Sequence, residues 1–239
     1  MAFTNFRASV QSGSLSDPAL IMEKALALDN IFQTIFTTNL PSDWEYETVY
    51  TDVDLDFVWN GRYHIYYDYW VSQIWNAMRT IRAMLNEMVR DALLKGFTSK
   101  PPLFTGPEHT AQFQKSTDLL FELQADILST LPQHLGFVSS SHFPKANDPS
   151  MAVNLSELRF PWTDFRGGSS SGDGFPLVRM SGPYFLIWPL WFAGIIDIAT
   201  EEVQDFVVKN LKRIGETMGI QQAVVLAKVI ETKSWIAVW

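Results

Sequence analysis

The chain has 239 residues, 47% of them hydrophobic and 18% charged, with a net charge of −8 and no cysteine. A chain of this length buries about 70–75% of its unfolded surface and needs no cross-links. Without cysteine there is no disulfide, zinc–thiolate site, iron–sulfur cluster or cysteine nucleophile. The acidic balance and scattered Lys and Arg, whose closest cluster is Lys209, Lys212 and Arg213, argue against direct nucleic-acid binding.

The N-terminal stretch "MAFTNFRASVQSGSLSDP" has no apolar core of the kind a signal peptide carries. Asp17-Pro18 reads as a cap with proline at the first helical position. Ile21, Ala25, Leu28, Phe32 and Ile35 then follow at spacings of four and three, one face of a helix that Pro41 stops. "DWEYETVYTDVDLDFVWNG" is a polar–aromatic connection with room for a short extended piece.

Residues 61–76, "GRYHIYYDYWVSQIWN", hold seven aromatic or histidine residues in sixteen. The periodicity predicts a long helix over about 66–95, with Trp70, Ile74, Met78, Ile81, Leu85 and Met88 as its stripe and Gly96 as its cap. "TSKPPLFTGPEH" is a loop. A helix over about 108–131 turns Phe113, Leu120, Leu123, Ile127 and Leu131 inward and ends at Pro132. A long mobile loop is expected over about 139–180, where "SSSHFPKANDPS" and "FRGGSSSGDG" concentrate turn residues.

Ser181 can cap the apolar run "GPYFLIWPLWFAGII", which Pro189 interrupts and which is too short to span a bilayer. Thr200, Glu201 and Glu202 start a strongly amphipathic helix with Val203, Phe206, Val207, Leu211 and Ile214 inward, broken near Gly215 and Gly219. A last helix ends near Thr232. No convincing alternating strand and no internal repeat is present. The fold class expected is all-α: one helical domain over 1–239, a multi-helix bundle with a buried apolar hairpin. The expected location is intracellular, in cytoplasm or nucleus.

Three stretches together carry a resemblance: "PSDWEYETV" (41–49), "GRYHIYYDYWVSQIWNAMRTIRAMLNEMV" (61–89) and "GPYFLIWPLWFAGIIDIATEEVQDFVVKNLKRIGETMGIQQA" (182–223). In this order they resemble the C-terminal part of the regulatory domain of fungal zinc-cluster transcription factors, over about residues 20–232. The chain departs from that family in lacking the six-cysteine DNA-binding module and its basic flank. Met1 and its short polar lead weakly favour a whole protein; on that reading the chain is expected to be a regulatory domain without a DNA reader. On the other, that of a cut piece, the departure carries no weight.

The candidate chemistry lies in a few side chains. His64 titrates near neutrality and suits acid/base work, and Asp68 stands one helical turn later, where a carboxylate orients an imidazole. Against this stands a structural reading of His64 as a half-buried helix-start residue. Asp197, in "FAGIIDIATEE", is a proton acceptor if buried and a capping-region residue if exposed. Arg82 and Glu87 are close enough on a helix to pair. Tyr63, Tyr67, Trp70, Trp75, Tyr184, Trp188 and Trp191, with Tyr66 and Tyr69, are core residues by composition, yet their polar edges suit a pocket for a flat, partly apolar molecule. Pro189 frees a backbone carbonyl between Trp188 and Trp191. The four histidines, 64, 109, 134 and 142, show no metal spacing, and neither a phosphate-binding glycine loop nor a nucleophile elbow is present.

The function expected is therefore that of a small-molecule-binding protein without cofactor or metal. The reaction class is cofactor-independent acid/base isomerisation, of epimerase or cyclase type, in fungal secondary metabolism, with His64, Asp68 and Asp197 moving the proton. The alternative is a transcriptional regulator domain acting as ligand sensor or protein-interaction module. Expected partners are an apolar or aromatic small molecule, and a second copy or a complete regulator, with no direct nucleic acid and no membrane.

Overall fold

The computed structural model describes residues 2–38, 40–41, 44–138 and 176–234, with side chains in the last segment from residue 182 onward. The chain is mostly α-helical, in the order α1 (Ala2–Gln11), α2 (Pro18–Thr38), β1 (Tyr46–Tyr50), β2 (Arg62–Tyr66), α3 (Tyr69–Thr98), α4 (Pro107–Leu128), α5 (Leu131–His134), α6 (Pro176–Ile195), α7 (Glu201–Met218) and α8 (Gln221–Glu231). Among the described residues no helix is long and apolar enough to cross a membrane. The loop expected over about 139–180 lies, up to residue 175, outside the described residues; α6 begins at Pro176, ahead of Ser181, which is therefore internal to the helix rather than its cap.

The single domain expected over 1–239 divides into two compact units. One comprises residues 1–40 and 77–124, the other residues 41–76 and 125–239. The first unit is helical. Asp17 Oδ1 accepts the amide of Ala19 at 2.9 Å and fixes the start of α2. Ile21, Ala25, Leu85, Val89, Ala92, Leu93 and Phe104 form its core, with Leu28, Phe32, Ile81, Met88 and Phe113 partly buried around them. Phe6 of α1 joins this core, so the polar lead is helical. Ile35, at the end of the expected face, is exposed. Arg82 reaches Asp29 with two hydrogen bonds, at 2.7 and 3.2 Å, rather than pairing along its own helix. Gly96 lies inside α3, not at its cap: a Cβ there would stand 2.0 Å from the ring of Phe104.

Among the described residues, the second unit carries the one departure from an all-helical reading. β1 and β2 pair antiparallel, Thr48 opposite His64 and Tyr46 opposite Tyr66. Their sequences, YETVY and RYHIY, are rich in β-formers, but β2 is buried on both faces from Tyr63 to Tyr66 and so shows no alternation. The helix expected from residue 66 accordingly starts at Tyr69. Between the strands, Asn60 and Gly61 both have left-handed backbones, and a Cβ at Gly61 would meet the Thr51 carbonyl at 2.5 Å.

α4 stops at Leu128, and the hydroxyls of Ser129 and Thr130 bond back to the carbonyls of Ala125 and Ile127 in its last turn. Pro132 sits in the first turn of α5 instead of ending α4. α6 packs against α5, α7 and α8. Its residues Leu186, Ile187, Leu190, Phe192 and Ala193 are buried, the four larger side chains contributing about 2 kcal/mol each by area. Thr200 caps α7, its hydroxyl accepting the Val203 amide at 3.3 Å, and left-handed Gly219 ends it. Gly215 stays inside the helix against Val224. Val203, Val207, Leu211 and Ile214 are buried as the periodicity predicts.

Candidate functional site

His64 lies on β2 and is buried. Its Nδ1 is 3.1 Å from the hydroxyl of Tyr66, and its backbone amide donates to Ser129 O at 2.8 Å. Its Nε2 stands 3.8 Å from Asp126 Oδ1, a carboxylate that accepts from Arg62 at 2.9 Å. The ring of Tyr46 covers the imidazole at 4.5 Å. The side-chain amide of Gln133 bonds both the N–H and the C=O of Tyr66, at 2.9 and 2.8 Å. These contacts hold the hairpin to residues 126–133.

Asp68 takes a different role. Its Oδ1 accepts the Val71 amide at 2.8 Å, which makes it the N-terminal cap of α3. The expected one-turn pairing with His64 fails for a geometric reason: β2 ends at Tyr66 and α3 begins at Tyr69, so no helix connects the two residues. Asp197 is exposed in the turn between α6 and α7.

The expected aromatic set divides. Tyr63 is buried, and its phenol pKa is raised, first by burial and then by the charge of Glu47. Trp75 is half-buried and donates its indole N–H to Trp44 O at 2.8 Å. Tyr67, Trp70, Tyr184 and Trp188 are more than half exposed. Trp191 is half-buried, set edge-on to Trp188 at 5.9 Å, with an indole N–H that finds no acceptor among the described residues. With four of the seven more than half exposed, the set forms no single buried cluster.

Two residues with defined chemistry escaped sequence reasoning. His134, in α5, has no exposed surface; neither does Ser72, in the first turn of α3. His134 Nδ1 lies 2.8 Å from Gly182 O, which only accepts, so the proton sits on Nδ1. Its Nε2 then accepts the Ser72 hydroxyl at 2.9 Å. Burial pushes the imidazole pKa down to about 4, opposed by the Gly182 carbonyl. The hydrogen bonds match a serine–histidine dyad, but complete burial bars substrate, and the pair ties α3 and α5 to α6. Sequence separations of 62 and 48 residues leave no local signal of either bond.

An open groove lies elsewhere in the same unit. Its volume is about 390 Å³. The segment Val53–Gly61 forms one wall, Trp59 prominent in it; Glu202, Asp205, Phe206 and Lys209 of α7 form the other. Trp59 and Phe206 meet edge to face at 5.1 Å. The wall is fastened by Asp56: its carboxylate accepts from Lys209 and from Arg213, and its carbonyl accepts from Asn210 Nδ2 at 2.9 Å. The Lys209 hydrogen bond holds the Asp56 carboxyl below the usual range; burial opposes it, and the charges of Lys209 and Arg213 add to the lowering. Phe57 beneath it stacks on Phe137 at 3.8 Å. None of the residues proposed from the sequence lines this groove; acidic "DVDLD" and the exposed face of α7 were its only sequence traces.

No family model, no curated protein and no solved structure matches this chain. The resemblance to the fungal regulatory domain rests on its motifs alone.

Proposed function

We propose that this chain is a ligand-binding regulatory module that binds a small molecule and does not transform it. The observation that carries this reading is the aromatic-flanked groove between Val53–Gly61 and α7, whose volume is in the range of small-molecule sites. Its titratable side chains are exposed carboxylates and a lysine committed to Asp56, with no positioned acid/base pair. The histidines that could move protons elsewhere in the unit, His64 and His134, are buried in hydrogen bonds that join secondary structures. The motif resemblance to a fungal regulatory domain agrees with this reading.

Cofactor-independent isomerisation is the second reading. The series Tyr66, His64, Asp126 favours it, because three titratable groups stand in sequence within one unit. Its weakness is the 3.8 Å step from His64 to Asp126, beyond hydrogen-bond length.

The discriminating experiment is a ligand-dependent thermal-stability screen of the full chain against fungal metabolites, with product analysis of every hit. Hits that are recovered unchanged, and whose effect Trp59→Ala abolishes, support the binding module. Conversion of a hit overturns it in favour of the isomerase.

A further inference from the structure

The charge pattern of the groove specifies a chemical class of ligand. Glu202, Asp205, Phe206 and Lys209 follow at helical spacing on one face of α7. Lys209 is turned into Asp56, which Arg213 also holds, so the groove's own cation is engaged in an ion pair. Asp54, Glu202 and Asp205 are exposed, and no Lys or Arg among the described residues pairs with them. Three unpaired carboxylates thus face a groove whose apolar surface is Trp59, Phe206, Val53, Leu55 and Val58.

An anion is disfavoured there. The first turn of α7 carries Glu201 and Glu202, and the Thr200 hydroxyl already occupies the Val203 amide. A metal ion is also disfavoured, because among the described residues no three acidic or histidine side chains converge as ligands. An ammonium needs no fixed coordination shell, so carboxylates spread along a groove can serve it where they cannot serve a metal. The Trp59 and Phe206 rings suit its apolar part and add cation–π attraction.

We propose that the groove binds a small organic cation with a flat apolar flank, of the arylalkylamine class. Its ammonium lies among Asp54, Glu202 and Asp205, and its ring lies against Trp59 and Phe206. This deepens the binding-module reading and rests on it.

The test uses three probes that share one flank: 2-phenylethylamine, 2-phenylethanol and phenylacetate. Each is titrated to millimolar concentration into the full chain, with amide shifts followed by NMR. The amine is expected to shift residues 53–61 and the first two turns of α7, and added salt is expected to weaken it. The double variant Glu202→Gln, Asp205→Asn removes two exposed charges and is expected to weaken the amine about tenfold while the protein still unfolds cooperatively. If the alcohol or the carboxylate binds as well as the amine, or the double variant binds the amine equally, the cation assignment is overturned and the binding reading stands. If none of the three shifts the groove while screen hits bind elsewhere, the groove itself is refuted as the site.

Discussion

The Nε2 of His134 accepts the hydroxyl of Ser72 at 2.9 Å, inside a region neither residue shares with solvent. This bond needs a neutral imidazole. Protonation of Nε2 would set a cation in a site with no exposed surface and turn an acceptor into a donor. The folded pKa is about 4, against 6.5 for the free side chain. Between those values the unfolded chain binds the extra proton. The contribution of His134 is therefore fully present above pH 6.5, falls as the pH drops, and levels off below 4. The loss amounts to about 3 kcal/mol. Urea denaturation at pH steps from 7.5 to 4.5 measures it, with His134→Gln as control: that variant is weaker at neutral pH and loses this segment of the pH slope.

An acid/base role for His64 would make His64→Ala a folded and inactive protein. The structure changes the expected outcome. The ring packs under Tyr46 and meets Tyr66, and its removal leaves a hole beside a paired strand. The variant should lose about 2–3 kcal/mol of stability, read as a lower denaturation midpoint at constant slope. A variant as stable as the parent would show that the imidazole does not hold the hairpin.

Asp29 and Arg82 are mostly buried and doubly hydrogen-bonded. Arg82→Met strands a carboxylate, at a cost of about 3 kcal/mol. Arg82→Met with Asp29→Leu removes both charges and should recover most of that loss. A double variant as unstable as the sum of the single ones would mean that the two residues act independently. A double-mutant cycle by denaturation decides this.

Gly96→Ala ordinarily favours a helix by up to about 1 kcal/mol. Here the new methyl would collide with the Phe104 ring, and the expected result is a loss of about 2 kcal/mol. In a Phe104→Ala background the same change should turn stabilising. Thermal unfolding of the four proteins gives both signs.

The local rules of the chain were legible. Asp17-Pro18 starts α2, Thr200 caps α7, Gly219 ends it, and the periodicity of Val203, Val207, Leu211 and Ile214 marks the buried face. Each signal acts within one or two turns, where a side chain and the backbone it serves are neighbours in sequence. The helical class and the apolar α6 follow from such signals, because an apolar run must bury itself whatever covers it.

What failed were assignments that depend on which distant segment arrives. RYHIY became a strand because YETVY lay opposite it and residues 126–133 closed the other face, and burial on both faces erased the alternation that marks a strand. That pairing displaced the start of α3 to Tyr69, made Asp68 a cap and separated it from His64. Gly96 looked like a helix end and is a seat for a ring from the next loop. The groove joins a segment near residue 55 to one near 205, and the Ser72–His134–Gly182 bonds join three helices. Composition and periodicity determined which segments are helical and which faces are apolar, because those are properties of neighbours along the chain. Only tertiary structure decided which polar side chains meet, because a hydrogen bond between residues 62 apart leaves no trace in the spacing of either.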